Sequence, residues 1–458
     1  MHLKEWERRS PSALRDAARQ PGPLPHGSRA GQAGSLAGLR LASPADRALA
    51  ARLTGERVLV VRELAEGLEI ESTSYVGKVQ LDALTITIVP KLGGDVLARL
   101  FRYAYGLRDL RLLPAAPFAA GGSLFEDLLP RQLLAEVEEL LARGLDRRYV
   151  TVEEPLASPR GRIDLGRIAR EGGVVRGSLP CRHHLRREDC LLNQVLLGGL
   201  HLAGDIASAA ELKMALRRLA GALAVGVRAR PLNRQLVAQA QQGLDRMATS
   251  YAPALALISL LLDGAAPALE GDQPAVRIPG FLLDMNRFFQ RLIGRFLRES
   301  LEGCRVVEER QLDDLMRYAP GENPGSRRAP RPRPDFLVTT GDGRAALLDA
   351  KYRDLWRRDL PREMLYQLAI YALSQPRGGQ ATILYPTTAT EARLARIEIR
   401  DPLGGWDRAS VALQPVELGA LDRALAAGPR GATERGALAR AMVFPGPGGG
   451  MPAPALWR

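Results

Sequence analysis

Cysteine is scarce in this chain. Its 458 residues hold three, Cys181, Cys190 and Cys304, and no CxxC pair. An odd, sparse set excludes a disulfide framework and a zinc ribbon, and it points to a reducing compartment. Cys181 stands near His183 and His184, but no second ligand pair follows at zinc spacing. Long apolar runs are missing too. The best, ALALISLLL at 254–262, is too short to cross a bilayer. The opening MHLKEWERRSPSALRDAARQ is charged throughout and lacks the apolar core of a secretory signal. These absences predict a cytoplasmic protein with no membrane partner. No Walker A loop (GxxxxGK[ST]) occurs, so any NTP hydrolysis coupled to this chain needs a second protein. No internal repeat and no base-reading motif is visible.

What is present is an ordinary globular composition, 46% apolar and 25% charged. The length predicts two or three domains. A net charge of +13 favours a polyanionic partner. Part of that charge follows from a general Arg- and Ala-rich composition, but the arginines also cluster locally.

The pattern along the chain predicts an α+β multidomain protein. Residues 1–50, rich in Gly, Pro, Ser and Ala from 20 to 45, read as a flexible segment. Residues 51–115 read as a β-rich domain. Within it YVGKVQLDALTITIVPKL (75–92) alternates as a hairpin, and Pro90 ends its second strand. Residues 116–270 read as a mainly helical middle region, with Gly144 capping the helix of 125–145. Residues 271–425 read as a mixed α/β domain. Its expected elements are an amphipathic helix over 281–300, strands at 304–312, 334–340 and 344–352, a helix over 361–375, and a last strand at 381–386. Residues 426–458, rich in Gly and Pro, read as a disordered tail.

The chemistry concentrates in RPDFLVTTGDGRAALLDAKYR, residues 333–353. Gly341-Asp342-Gly343 between two apolar runs is a hairpin turn. Asp335 and Asp349 each lie seven residues from Asp342, so an antiparallel pairing brings them to the same end of the two strands. Asp349 and Lys351 share a face, while Ala350 points into the core. Two carboxylates and an ammonium then converge. Two Asp oxygens suit Mg²⁺, which takes one or two carboxylates and fills its shell with water and phosphate oxygens. Such a cation acidifies water and neutralises charge as a phosphodiester is cleaved. Lys351 can orient or deprotonate the attacking water or stabilise developing charge. Directly upstream, Arg327, Arg328, Arg331 and Arg333 stand on a loop stiffened by Pro330 and Pro332. These arginines can reach phosphates of double-stranded DNA without reading bases.

Pro334-Asp335, the hairpin and Asp349-Ala350-Lys351 resemble the PD-(D/E)xK nuclease superfamily, as does the order helix, three strands, helix, strand. On the helix that follows, Tyr366, Gln367 and Tyr371 resemble the Gln-containing motif of RecB-like members. FLLDMNRFF (281–289), YQLAIYA and LYP, with YVGKVQL, IVPKL, ARGLDRRYV, PRGRIDL and CRHHLRREDCLLNQVL upstream, are similar to blocks of the McrC family. McrC proteins are the nuclease subunits of McrBC-type 5-methylcytosine restriction systems.

The resemblance implies a DNA endonuclease subunit using Mg²⁺ held by Asp335 and Asp349. Lys351 and Gln367 complete its catalytic set, and Tyr371 joins the four arginines at DNA. It implies a McrB-like AAA+ GTPase hexamer as partner, docked by the N-terminal region. One position departs: Gln290 stands where McrC-like sequences carry a Glu. Three function classes follow, namely the nuclease subunit of a GTP-dependent complex, a self-sufficient nuclease, or a non-cleaving activator of a partner NTPase.

Overall fold

The computed structural model describes residues 1–11, 36–82, 84–107, 124–170, 177–269, 280–313, 315–375, 378–445 and 451–452. It opens with two short strands, β1 (His2–Lys4) and β2 (Arg8–Arg9). Helix α1 (Pro44–Gly55) starts at Ser43, whose side chain accepts from the Ala45 amide, and carries Pro44 in its first turn, where no donor is needed. Four strands follow: β3 (Leu59–Leu64), β4 (Gly67–Ser72), β5 (Tyr75–Leu81) and β6 (Leu84–Val89). Strands β5 and β6 form the expected antiparallel hairpin, with Leu81 opposite Leu84. Asp82 takes a φ of 53° at its turn, as tight hairpin loops require.

The first nine residues are paired, not loose. Strand β1 lies parallel to β6, with Leu3 opposite Ile88, and β2 lies antiparallel to β4. The pairing partners stand far along the chain, so no local pattern announces them. Residues 12–35, most of the segment expected to be flexible, lie outside the described residues.

Helix α2 (Gly94–Tyr105) packs its Leu97, Leu100, Phe101 and Ala104 into the main core. The middle region holds α3 (Leu124–Arg143), α4 (Leu165–Arg170), α5 (Leu191–Ile206), α6 (Ala210–Ala224), α7 (Arg234–Gln242) and α8 (Ala252–Leu269). It also holds an antiparallel sheet of β7 (Arg148–Leu156), β8 (Arg162–Ile163) and β9 (Leu179–Arg187). Gly144 after α3 takes a φ of 90°, the left-handed cap its position predicts.

Next come β10 (Gly280–Asp284) and α9 (Met285–Ser300). The helix expected from 281 therefore begins at Met285. Phe281, Leu282 and Leu283 are all buried, and a fully buried strand has the same apolar run as a helix stripe. Strand β10 pairs with β5, so the boundary expected at 271 is crossed by a sheet shared with the N-terminal region. Gly77 makes that pairing possible: a Cβ there would sit 2.1 Å from the Phe281 carbonyl oxygen.

The C-terminal half is built on one mixed sheet. Its elements are β11 (Cys304–Glu308), β12 (Phe336–Thr340), β13 (Arg344–Ala350), α10 (Arg362–Leu373), β14 (Gly379–Thr387), β15 (Ala395–Arg400), β16 (Asp407–Glu417), α11 (Leu418–Ala426), α12 (Ala432–Val443) and β17 (Met451–Pro452). The strand order is β11-β12-β13-β14-β16-β15, with β17 beside β13. Thus 381–386 is not the last strand. Strand β16 runs parallel to the whole of β14, and β15 closes the edge. Nor is 426–445 disordered. Alanines favour helix, and Ala439, Met442 and Val443 of α12 are buried in the main core.

One face of this sheet joins the main core through Phe336, Val338, Leu348 and Ala350, alternate residues of β12 and β13. The other face, with Leu337, Leu347 and Ile383, packs under α10 through Leu368, Tyr371 and Ala372. Among the described residues no helix is long and apolar enough to cross a membrane.

Candidate active site

The hairpin of β12 and β13 places the acidic pair. Gly343 takes a φ of 83°, a conformation that favours glycine. The Thr340 hydroxyl bonds the Asp342 carboxylate and accepts from the Arg344 amide, closing the turn. The register sets Phe336 opposite Leu348 and Leu337 opposite Leu347. Carried one step further, Asp335 stands across from Asp349, and both share the face of Leu337 and Leu347 under α10.

The side chains meet there. Lys351 Nζ lies 2.9 Å from Asp349 Oδ2 and 3.4 Å from Asp335 Oδ2. Asp335 Oδ2 also accepts from the Ala350 amide at 2.7 Å. Ala350 points into the opposite core. The Lys351 amide bonds Leu384 O at 3.0 Å, continuing the ladder between β13 and β14. The Asp349 side chain is 2% exposed, and its Oδ1 is buried without a hydrogen-bond partner.

Burial, and then the neighbouring Asp349 charge, push the Asp335 carboxyl up to about 7, against the opposing pull of Lys351. For Lys351, burial disfavours the charged form, but the attraction of Asp349 and Asp335 outweighs it, and its pKa is raised.

The sign of the Asp335 shift makes a prediction. Folding raises this pKa above the unfolded value, so its contribution to stability is full below about pH 4 and is lost as pH rises through about 7. Without divalent ions, the wild-type unfolding temperature should therefore fall from pH 5 to pH 8 relative to Asp335→Asn. Adding Mg²⁺ should recover it at pH 8 and have little effect at pH 5. Thermal unfolding at the two pH values, with and without Mg²⁺, checks this.

The donor set fits a hard divalent cation. Two carboxylates share one face, one buried oxygen has no donor, and their repulsion is only partly offset by one ammonium. Among the described residues no three His, Cys, Asp or Glu side chains converge, so an all-protein cage is not on offer. Mg²⁺, which keeps water and phosphate oxygens in its shell, suits two carboxylates.

On α10, Gln367 Nε2 donates to the Tyr371 hydroxyl at 2.8 Å. Burial above all raises the Tyr371 pKa, the Gln367 bond opposes this, and the charges of Asp349 and Asp335 add to the rise. Tyr371 is only 1% exposed. Its ring fills the core beside Leu368 and Ala372, so the expected contact of Tyr371 with DNA is corrected. The hydroxyl instead holds Gln367, which is half-buried.

Arg327, Arg328, Arg331 and Arg333 are exposed. Asn323 braces their loop through the Arg327 amide and carbonyl. Arg331 pairs loosely with Asp313 at 3.6 Å, and Arg333 with Glu309 at 3.3 Å. The Glu309 amide donates to Asp335 O at 2.9 Å, which fastens the arginine loop beside the acidic pair. Gln290 lines a cavity of about 320 Å³ with Glu308 and Glu309. Glu308 is paired with Arg298 and Glu309 with Arg333.

Asn286 joins the site from a position that no sequence motif singles out. Its side chain accepts from the Tyr352 amide at 2.9 Å and donates to Ser74 Oγ at 2.7 Å. The one local signal is Asp284, which caps α9 by accepting from the Asn286 amide.

Comparison with protein families matches residues 70–386 to the McrBC 5-methylcytosine restriction system component. Comparison with curated proteins finds no match. Among solved structures, the fold is similar to a chain in a half-complex of the tetradecameric assembly of Thermococcus gammatolerans McrB AAA+ hexamers with bound McrC. The identity is 19% and the TM-score 0.55, over 92% of this chain and 97% of that one. A chain of the Thermococcus gammatolerans McrBC complex aligns at 19% identity and a TM-score of 0.42, over 66% of this chain and 87% of that one. With more than half of its length matched by the family profile, the chain belongs to the McrBC 5-methylcytosine restriction system component family.

Proposed function

We propose that this chain is the DNA endonuclease subunit of a modification-dependent restriction complex in the cytoplasm, cutting double-stranded DNA beside a McrB-like AAA+ GTPase hexamer. The observation that carries the reading is the convergence of Asp335, Asp349 and Lys351 on one face of a hairpin, in a member of this family. Asp335 and Asp349 would hold Mg²⁺, which supplies Lewis acidity and charge neutralisation to phosphodiester hydrolysis. Lys351 stabilises or orients at the same face, and Gln367, bonded to the Tyr371 hydroxyl that feels the charges of Asp349 and Asp335, completes the set. The exposed arginines 327, 328, 331 and 333 carry the backbone of the DNA past the acidic pair, an affinity that falls steeply with salt. The absence of a Walker A loop leaves GTP hydrolysis to the partner. The McrB AAA+ hexamers with bound McrC in the similar Thermococcus gammatolerans structure support a partner of that kind.

A second reading, a non-cleaving activator of the partner NTPase, draws on Gln290. A neutral amide there supplies no charge to a cation. One experiment separates the readings: plasmid DNA with and without 5-methylcytosine is incubated with this chain, the partner GTPase, GTP and Mg²⁺. Cleavage of the methylated plasmid alone, and only with all components, is expected. Stimulated GTP hydrolysis with no cleavage selects the activator. Cleavage by this chain alone selects a self-sufficient nuclease.

A further inference from the structure

Tyr352 follows Lys351 directly, and its polar atoms are held from outside the sheet that carries the acidic pair. Its amide donates to Asn286 at 2.9 Å. Its carbonyl accepts from Trp6 Nε1 at 3.2 Å, and its hydroxyl donates to Glu5 Oε1 at 3.2 Å. Its ring packs edge-on to Phe289, with centroids 6.1 Å apart. The next residue, Arg353, lays its guanidinium 5.2 Å from the centre of the Trp6 ring, and Arg358 donates to Trp6 O at 2.8 Å. A turn at the start of the chain thus grips the peptide on the far side of Lys351.

That turn is itself under constraint. Trp6 has a φ of 61°, a strained conformation for an aromatic residue that persists only where its surroundings enforce it. Ser72 at the end of β4 ties the two sides of the turn together. Its hydroxyl donates to Lys4 O at 2.6 Å and accepts from the Glu7 amide at 2.8 Å. Glu5 is buried, with Lys91 only at 3.9 Å, a costly arrangement for a carboxyl. A second route runs through Asn286 to Ser74, just before β5. Both routes start on the N-terminal sheets and end beside Lys351.

We propose that the turn Glu5–Trp6 is a positioning element of the nuclease site, holding the peptide that carries Lys351 and making cleavage depend on where the N-terminal strands sit. The proposal rests on the nuclease reading of Asp335, Asp349 and Lys351. Displacing a catalytic group by an ångström costs up to about 10²-fold, so loss of the grip should act on turnover and not on DNA affinity.

The test uses the full chain with its partner GTPase, GTP, Mg²⁺ and methylated DNA. Trp6→Ala is expected to lower kcat about 10-fold with KM for DNA unchanged. Tyr352→Phe, which removes only the bond to Glu5, should lower kcat by less. Hydrogen exchange followed by mass spectrometry should speed up at 351–353 in Trp6→Ala and stay unchanged in β14 and β16. Unchanged kcat in both variants, or exchange that quickens across the whole sheet along with a lower unfolding temperature, overturns the proposal. If the wild type fails to cut, the nuclease reading falls. Exchange at 351–353 then decides whether the turn holds this peptide.

Discussion

Asp349→Asn is expected to abolish DNA cleavage while leaving the fold as stable as the wild type or more so. The loss should exceed about 10³-fold, because one of two carboxylates offered to the cation disappears and with it the charge that holds the ion. The stability side follows from burial. Asp349 is 2% exposed at its side chain, and its Oδ1 has no hydrogen-bond partner. Burying such an oxygen charged is costly, and a neutral amide of the same shape is cheaper to bury. Lys351 keeps a counter-ion, because Asp335 Oδ2 stands 3.4 Å away. Asp335 also loses the neighbouring charge that, after burial, raises its pKa. A group that costs stability and is required for activity is the signature of a functional site. Cleavage of methylated plasmid and thermal unfolding, measured on the same preparation, test both halves. Normal cutting by the variant would remove Asp349 from the site. A sharply lowered unfolding temperature would make it a structural counter-ion to Lys351.

The acidic pair was legible because its geometry is local. A Gly-Asp-Gly turn and two short apolar runs determine the register, and period-two alternation then decides which residues share a face. Asp335 opposite Asp349 follows from counting outward from Asp342. The long-range pairings were not legible. Strand β1 joins β6 in parallel, β10 returns to β5, and β16 inserts between β14 and β15. No turn or alternation specifies such partners, which are selected by the complementarity of buried faces. Tyr371 shows the same limit at one residue. Its position four after Gln367 puts both on one helix face, but whether that face meets solvent or the sheet depends on the packing of α10. The tail failed for a different reason: glycine and proline counts over 426–458 concealed an alanine-rich helix within it.

Phe101→Ala should destabilise the whole chain by about 3–5 kcal/mol. Phe101 is 0% exposed. Its ring stacks on Phe288 of α9 at 5.5 Å between centroids and contacts Tyr105 at 4.6 Å. Around that contact Arg295 of α9 donates to Tyr103 O at 2.6 Å, and Arg99 forks onto Asp422 of α11 at 2.9 and 2.5 Å. Helix α2 belongs by sequence to the region expected to dock a partner, yet its buried face is part of the core beneath the acidic site. The loss is a large share of a domain's usual margin of about 5–15 kcal/mol. Urea unfolding should therefore show a lower midpoint with one transition, and GTPase stimulation and cleavage should decline together as temperature rises. If residues 51–115 were instead a separable docking module, the variant would lose stimulation alone and keep the wild-type midpoint for the rest of the chain. The shared core argues against that outcome: a helix whose aromatic side chain is packed against α9 cannot be loosened without loosening the helix that begins at the Asn286 contact to Tyr352.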